Sequence, residues 1–499
     1  MFKSLKSLTA LMLCLTLWMA CPFPVSALPP TPHSTLPDFP CYRSLNTLYA
    51  DAAALAAAYP ALATWTDIGD SWEKAQSGGA AGYDLFALKL TNSALTGQKP
   101  ALILVSGTHA RDLAPVELNL RFAEYLLAGY GTDPELTWLL NQAEVHIILS
   151  ANPDGRAVVE QQIASGEADE FGDAARKKNL NDAACSTHAL AGVDLDRNFP
   201  FQWQPGPTGC MNDYPGVAAA SEPETSALIA YLENNLGDYR AGGPDQPADT
   251  GARGLLVHLQ SYGNKVFYPY SYRAEPAPED AALHTLANKF AFGTPASPAK
   301  YSGTGASFLR GSLSDFVYGE RGVPALTYML FADIEGHYFT RCSVFNNFLS
   351  ANLKALTRAL KSVWAPYTLP AGPELTPLLI TVHSSALETW WELWTTADTN
   401  LLKDPNPDAP DTASAVYSFD LPPWEPGAVL HSLPAQDGAF DSPWEQLRSR
   451  LDFTGLEPGW HQIFAQAYLA DGTPGLASAN RVFVPEPTPF SSFLPILLR

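Results

Sequence analysis

The segment ALILVSGTHARDLAPVE, residues 101–117, contains the signals of a strand, a sharp turn and the start of a helix. The apolar run 101–105 predicts a buried strand, Ser-Gly-Thr predicts the turn, and a helical pattern begins at Pro115. His109 and Asp112 follow the strand at its carboxyl end, where α/β domains gather ligand-binding side chains. On its own, this pair is more typical of a structural hydrogen bond than of a metal site.

Similar patterns continue on both sides of this segment. They predict strands at 61–70, 83–91, 144–150, 254–260 and 323–330, and helices at 44–59, 115–130, 280–292 and 345–363. Another helix is expected after Ser221 as N-cap, with Pro223 in its first turn. Residues 176–214 lose all periodicity, which indicates a long functional or cross-linked loop. Apolar strands alternating with helices predict an α/β domain with a largely parallel sheet covered on both faces.

The composition excludes several classes of partner. A chain of 499 residues exceeds one hydrophobic core and suggests two or three domains. Its formal net charge of −21 argues against binding to nucleic acid or to anionic membranes. No stretch is long and apolar enough to predict a membrane-spanning helix. The oligomeric state does not follow from the sequence.

The first 27 residues have the pattern of a secretory signal peptide. Lys3 and Lys6 precede the apolar run 8–21, and Val25-Ser26-Ala27 provides a small-x-small cleavage site. Lipid attachment at a cysteine of this run is less favoured, because the small residues that it requires are missing. Four cysteines remain in the mature chain, an even number that predicts disulfides in an exported protein. The protein is therefore expected to be secreted, either extracellular or at the cell surface.

The composition changes near the end of the first domain. Residues 366–377 are rich in Pro and predict a linker, so the first domain is expected to span 28–365. Short alternating runs in 378–484 predict a β-sandwich of immunoglobulin-like type. Residues 485–499 form an apolar tail that contains Pro and is too short to span a bilayer.

Six stretches together resemble the zinc metallocarboxypeptidases of the carboxypeptidase A/B/T type, peptidase family M14. They are GTHARDLAPVE (107–117), ANPDGR (151–156), GVDLDRNFPFQW (192–203), SEPET (221–225), QSYGNKVFYPYSY (260–272) and SDFVYGERGVPALTYML (314–330). The resemblance covers roughly residues 38–365 in the order of the family. It implies an eight-stranded mixed sheet between helices, a zinc cofactor, removal of C-terminal residues from peptides, and a disulfide between Cys185 and Cys210. The β-rich part resembles a module appended to some bacterial members.

The resemblance also identifies the metal-ligand positions, and two of the three differ from the family pattern. His109 matches the first ligand, Asp112 replaces the family's Glu, and Gln260 replaces its second His. Asp112 is one methylene shorter, about 1.5 Å of reach. Gln260 offers a neutral amide oxygen, which suits hard ions better than zinc. Together these changes are expected to weaken zinc binding severely.

The catalytic positions differ as well. Met329 stands where the family has its general base, and a thioether cannot accept the proton of a metal-bound water. Asp196-Arg197 replaces the Asn-Arg pair that grips a peptide carboxylate; the simplest interpretation of Asp196 is an ion pair with Arg197. Lys177 aligns with the oxyanion-stabilising Arg, although Arg176 is one step away. No Tyr matches the mobile phenol of the family, whose position falls near Ser307 and Phe308.

Other side chains are candidates for a displaced metal site. His258 shares a strand face with Gln260 and lies roughly 6.6 Å deeper, so a bulge would be needed to bring it to a metal. Asp333, Glu335 and His337 follow the lost base, although such a loop is more often solvated surface.

Three hypotheses follow. The leading one is a secreted carboxypeptidase-fold protein that has lost hydrolysis and binds peptides, protein C-termini or glycans through the Arg197 pocket or the sandwich. The alternative is an active metallocarboxypeptidase with an altered metal site. The third is a structural envelope protein in which both domains serve attachment.

Overall fold

The computed structural model describes residues 35–486 with several gaps. The omitted positions are 170, 171, 173, 186–190, 207, 302–307, 332–336, 386–387 and 405–407. The predicted signal peptide and all but two residues of the predicted tail lie outside the described residues. Within the described part of the chain, no helix combines the length and apolar character needed to cross a membrane.

The first part of the chain is built on a mixed eight-stranded sheet. The described residues before 331 form the strands β1 (Thr35–Leu36), β2 (Phe39–Arg43), β3 (Ala63–Asp70), β4 (Asp84–Leu90), β5 (Ala101–Ser106), β6 (Glu144–Ile148), β7 (Leu255–Ser261), β8 (Lys265–Phe267), β9 (Ser297–Ala299) and β10 (Ala325–Leu330). The large sheet has the order β3-β4-β6-β5-β7-β10-β8-β9, and β1 pairs with β2 separately. The four central strands, β6, β5, β7 and β10, are parallel. Three of the other neighbouring pairs are antiparallel, so the sheet is more mixed than the sequence predicts.

Helices accompany this sheet. They are α1 (Leu45–Ala58), α2 (Trp72–Ser77), α3 (Leu113–Gly129), α4 (Pro134–Gln142), α5 (Pro153–Ser165), α6 (Pro223–Asn235), α7 (Asp280–Ala291), α8 (Leu313–Arg321) and α9 (Cys342–Ser362). The sequence analysis did not identify α2, α4, α5 and α8. It also placed the N-cap of α6 one residue early: the cap is Glu222, because the Ser221 hydroxyl is engaged with Asn198 and with the Glu222 carboxylate.

The centre of the sheet is fully buried. Every residue of β5 and β7 is inaccessible or nearly so, including the polar residues Ser106, His258 and Gln260. Parallel strands covered on both faces need this continuous apolar character. Polar side chains within such strands therefore require hydrogen-bond partners. The polar side chains of β7 have their partners near the carboxyl end of the strand.

The C-terminal part consists of two four-stranded antiparallel sheets. One contains β11 (Glu374–Leu375), β12 (Leu379–Ser384), β13 (Thr389–Asp398) and β16 (Trp444–Arg450); the other contains β14 (Ser414–Phe419), β15 (His431–Ser432), β17 (Gly459–Tyr468) and β18 (Ser478–Val484). Their inner faces share one apolar cluster, which is consistent with a β-sandwich. β11 lies within the predicted linker 366–377 and pairs with β13, so this sheet begins earlier than the sequence suggested.

The sandwich and the first sheet share apolar contacts. The Trp138 ring stacks on Trp364 with centroids 5.3 Å apart, and Phe464 of β17 meets the Trp138 ring edge-on at 5.5 Å. Phe464 belongs to the same buried cluster as the core of the first sheet. The side chain of Gln462 donates to the Pro134 carbonyl at 2.9 Å. The sandwich is thus packed onto α4 and the end of α9.

Two disulfides connect distant parts of the chain. Cys185 is bonded to Cys210, the pair that the resemblance implied, and this bridge closes part of the long loop. Cys41 is bonded to Cys342, which joins β2 to the first residue of α9.

Candidate functional site

A cavity of about 380 Å³ opens at the carboxyl ends of the central parallel strands. The end of β5, the end of β7, β10 and the long loop all contribute to its wall. The lining residues are His109, Arg111, Lys177, Asp194, Asp196, Arg197, Gln260, Ser261, Tyr262, Phe267, Tyr268, Pro269, Ser271, Tyr301, Leu309, Ser314, Asp315, Thr327, Met329 and Tyr338. Most positions that the sequence analysis singled out therefore converge on one cavity.

His109 lies between two carboxylates. Its Nδ1 atom is 3.5 Å from Oδ2 of Asp112, and its Nε2 atom is 3.2 Å from Oδ1 of Asp194. Burial and the Lys177 ammonium oppose a proton on this ring, but the two carboxylates outweigh them and raise the pKa of His109. Asp112 accepts from the backbone N–H of Ser261 at 3.1 Å through Oδ2, while its buried Oδ1 atom has no hydrogen-bond partner among the residues that the structure describes. The first two ligand positions are thus brought together.

The amide nitrogen of Gln260 is engaged by other residues. Its Nε2 atom donates to Oδ2 of Asp196 at 2.8 Å. Because a carboxylate can only accept, the atom that faces Asp196 must be the amide nitrogen. The same nitrogen is 3.3 Å from Nε2 of His258, whose ring is also 2.9 Å from the Thr108 hydroxyl. The His258 ring is completely buried, and burial lowers its pKa.

Asp196 does not form the ion pair with Arg197 that the sequence analysis favoured. Its Oδ1 atom instead accepts from the backbone N–H of Leu313 at 3.0 Å, at the start of α8, and its Oδ2 atom accepts from Gln260. Arg197 points toward Asp194, with Nε 3.4 Å from Oδ2, and lies 4.0 Å from Asp213. Consecutive residues of the short 3-10 helix Leu195–Arg197 point in different directions, which separates the two side chains.

Lys177 neutralises Asp194. Its Nζ atom donates to Oδ2 of Asp194 at 2.5 Å. Burial alone would raise the pKa of Asp194, but Lys177, His109 and Arg197 hold it well below its usual range. Arg176, the other candidate for the oxyanion position, turns away and donates to backbone carbonyls of Lys178, Asn179 and Ala191. Lys177 is therefore the member of this pair that lines the cavity.

Met329, which the resemblance aligns with the general base of the family, lines the cavity. It is on β10 directly beside Gln260 of β7 in the parallel register, and its side chain is partly exposed to the cavity. A thioether sulfur is a weak acceptor that carries no titratable proton at physiological pH.

The residues present do not fit a catalytic zinc ion. Such a site needs three protein ligands and an open position. His109 and Asp112 converge, but the Gln260 amide is held by Asp196 through its nitrogen, and the amide oxygen that it could still offer is neutral and a poor ligand for zinc. Within the described part of the chain, no three His, Cys, Asp or Glu side chains are grouped so as to hold a metal. Asp333 and Glu335 lie outside the described residues, and His337 is buried without lining the cavity.

An aromatic wall was missed by the sequence analysis. The Arg111 guanidinium lies 3.4 Å from the centroid of the Tyr338 ring, and Tyr338 meets Tyr262 edge-on at 4.8 Å. Tyr301 lines another part of the cavity and packs on Phe267 at 5.3 Å. Of the positions near the family's phenol, Ser307 lies outside the described residues and Phe308 is exposed. Arg111 lies within the 107–117 motif, but no local sequence pattern predicts that Tyr262 and Tyr338 are in contact.

Comparison with known proteins gives a consistent result. Residues 48–351, more than half of the chain, match the zinc carboxypeptidase family, Peptidase_M14. The inactive metallocarboxypeptidase ECM14 of Saccharomyces cerevisiae is 26% identical over 244 residues, 48% of this chain and 49% of that protein. Rat carboxypeptidase A1 is 24% identical over 290 residues, 57% of this chain and 58% of that protein. The matches thus span about half the length of these relatives.

The fold is similar to that of a solved structure. The crystal structure of thrombin-activatable fibrinolysis inhibitor superposes with a TM-score of 0.53 at 22% identity, covering 64% of this chain and 74% of that one. An identity this low shows the fold alone. The family match, which spans the sheet and the cavity, shows more: this chain belongs to the zinc carboxypeptidase family.

Proposed function

We propose that this chain is a secreted pseudoenzyme of the zinc carboxypeptidase family that binds peptide or protein C-termini without hydrolysing them. The observation that carries the proposal is the register of β7 and β10, which places Gln260 directly beside Met329. The resemblance aligns these neighbouring residues with the third metal ligand and the base, and neither side chain supplies a charged ligand or a proton acceptor.

Loss of the general base lowers the rate of peptide hydrolysis more than it lowers the affinity for a peptide. General acid–base catalysis is worth roughly a hundred- to ten-thousand-fold in rate. Met329 cannot supply it, and Lys177, which lines the same cavity, is paired with Asp194. The name of one relative, the inactive metallocarboxypeptidase of yeast, is in line with loss of hydrolysis in this family.

Binding of a carboxylate is supported by the charges that remain. Asp194 is compensated by Lys177 and His109, and Asp196 is held by Gln260 and Leu313. Arg197, whose side chain is 20% exposed, lines the cavity and is 3.4 Å from Asp194, a carboxylate that Lys177 and His109 also contact. A guanidinium can grip a carboxylate with two parallel hydrogen bonds.

Secretion is supported by two features. Cys41–Cys342 and Cys185–Cys210 are disulfides, which persist in oxidising compartments. Residues 1–27 have the charged, apolar and small-residue order of a signal peptide.

The loss of catalysis is tested by restoring the family residues. The chain without residues 1–27 is compared with a triple variant, Asp112→Glu, Gln260→His and Met329→Glu, by metal analysis after dialysis against zinc and by release of C-terminal residues from a peptide. We expect less than stoichiometric zinc and no release for the natural sequence, and a gain of zinc in the triple variant that His109→Ala removes. Stoichiometric zinc with chelator-sensitive peptide release by the natural sequence would overturn the proposal.

The binding role is tested separately by calorimetry. A peptide with a free C-terminal carboxylate should bind at least tenfold more tightly than its C-terminal amide, and Arg197→Ala should remove that difference. Arg253→Ala, at an exposed arginine outside the cavity, is the matched control. Equal binding of acid and amide would exclude carboxylate recognition.

A second candidate function is an active carboxypeptidase with an altered metal site. The observation in its favour is the approach of His109 Nδ1 to Asp112 Oδ2, the two atoms that would share an ion. It requires that His109→Ala abolishes peptide release; an activity that survives this substitution would eliminate it.

A further inference from the structure

The outer face of the sandwich sheet formed by β12, β13 and β16 carries a line of tryptophans. The register places side chains in rows across the three strands: Leu379, Trp394 and Arg448 in one row, Thr381, Glu392 and Arg450 in the next, and then His383 beside Trp390. The alternate residues of β13 and β16, such as Leu393 and Leu447, are fully buried in the sandwich core. The tryptophan rows therefore face away from the core.

The tryptophans are regularly spaced. Trp390 and Trp394 are four residues apart on β13, and Trp444 of β16 lies opposite Asp398, four residues further on. At the rise of an extended strand, each interval is about 13 Å. Trp444 is 50% exposed and Leu379 is 43% exposed, while Trp390 and Trp394 are partly exposed. The Trp390 ring is stacked on His383 at 5.0 Å and lies 5.6 Å from the Arg450 guanidinium, so the exposed apolar surface of this face is carried mainly by Leu379, Trp394 and Trp444.

The charged side chains on this face are mostly paired with one another. Arg448 donates to Glu392 at 2.6 Å, and the same carboxylate is 3.0 Å from Nε2 of His383. Arg450 pairs with Glu388 at 2.8 Å. With Asp398, which shares the outward positions of β13, two arginines and three carboxylates give the face a formal charge of −1. The face therefore offers no excess of positive charge to attract an anionic polymer.

We propose that this face binds a neutral polysaccharide. The apolar faces of sugar rings pack on aromatic side chains, and a strip of tryptophans fits an extended chain of such rings. Sugar hydroxyls donate and accept, so they can replace water around the Glu392 ion pairs without leaving them unsatisfied. A protein partner would instead have to remove water from these ion pairs at the centre of the interface. Charged residues are depleted at the centres of protein–protein interfaces, because their desolvation is costly. This inference does not depend on the proposed function of the cavity.

The experiment measures retention of the full chain by insoluble neutral polysaccharides, with microcrystalline cellulose, chitin and curdlan as probes and anionic polygalacturonate as comparison. We expect at least one neutral polymer to retain the chain, and retention to persist when the salt concentration is raised. Trp394→Ala should weaken retention roughly tenfold, and Trp444→Ala should weaken it by a smaller factor. Melting curves would reveal whether Trp394→Ala is folded. If it is not, Trp444→Ala still tests the proposal, because the exposed Trp444 side chain contributes little to the fold.

The matched control is Trp460→Ala. Trp460 is 66% exposed and lies on the other sheet of the sandwich, so its loss should leave retention unchanged. The proposal is overturned if no neutral polymer retains the chain, if retention is confined to polygalacturonate, or if Trp394→Ala and Trp444→Ala bind like the natural sequence. Sedimentation that shows a dimer abolished by the same two substitutions would also overturn it, because the face would then be a contact between copies.

Discussion

Gln260 donates to Asp196 at 2.8 Å across 64 residues of sequence, and both side chains are buried. Asp196 in turn accepts from the backbone of Leu313 at the start of α8. The end of β7 is thereby tied to α8 by a carboxylate whose two oxygens are both used. Gln260, which the resemblance aligns with a metal ligand of the family, is thus part of a buried hydrogen-bond network.

Substitution of Gln260 by Leu should therefore destabilise the protein. Without the amide donor, a buried oxygen of Asp196 loses its hydrogen bond, which costs about 1–3 kcal/mol. Urea unfolding of the two proteins measures the difference, and Gln76→Leu at an exposed position of α2 is the control. If both substitutions changed the free energy of unfolding equally, the contact would not be structural.

Stability should depend on pH through Glu224. Burial, reinforced by the charges of Glu222 and Asp154, raises the pKa of this carboxyl from 4.5 to about 8. Because the folded pKa lies above the unfolded one, the stabilisation by protonated Glu224 is complete below pH 4.5 and is lost as the pH rises through 8. Glu224→Gln should remove this loss, on the order of 4–5 kcal/mol.

The pH prediction is checked by denaturant unfolding from pH 5 to pH 9. The free energy of unfolding of Glu224→Gln, relative to that of the natural sequence, should increase across this range. For Glu233→Gln, at an exposed position of the same helix, the difference from the natural sequence should stay constant. A constant difference between Glu224→Gln and the natural sequence would show that Glu224 titrates normally.

The two disulfides should differ in their contribution to stability. Cys41 and Cys342 are separated by 301 residues, Cys185 and Cys210 by 25. In the chain-entropy account, the longer loop stabilises by about 2 kcal/mol more. Unfolding of the two double-alanine variants measures this difference. A larger loss from the Cys185–Cys210 variant would contradict the entropic account.

The sandwich should unfold together with the first sheet. Phe464 of β17 packs on Trp138 of α4, so the two regions share one apolar cluster and calorimetry should show a single transition. Phe464→Ala should cost about 3–5 kcal/mol and separate the sandwich transition. Phe453→Ala, on a ring that packs within the sandwich core, is the control and should lower stability without separation. Two transitions in the natural protein would contradict the shared core.

Several features of the fold and the site could be predicted from local sequence. Alternating apolar strands and helical patterns indicated the α/β architecture, and the order of the motifs indicated the family. Short polar helices such as α2 and α8 were missed because their periodicity is weak over so few residues. The N-cap of α6 was misplaced because the Ser221 hydroxyl has a tertiary partner, Asn198, that no local pattern contains.

The sequence by itself determined that position 329 is a thioether and position 260 an amide, the residues that the resemblance aligns with the base and the third metal ligand of the family. Only the tertiary structure decided that Gln260, and not Arg197, is the partner of Asp196, and that Tyr262 meets Tyr338 beside Arg111. The physical reason is that hydrogen bonds and ring contacts depend on side-chain direction and on segments far apart in the chain, which come together only when the sheet and its loops pack.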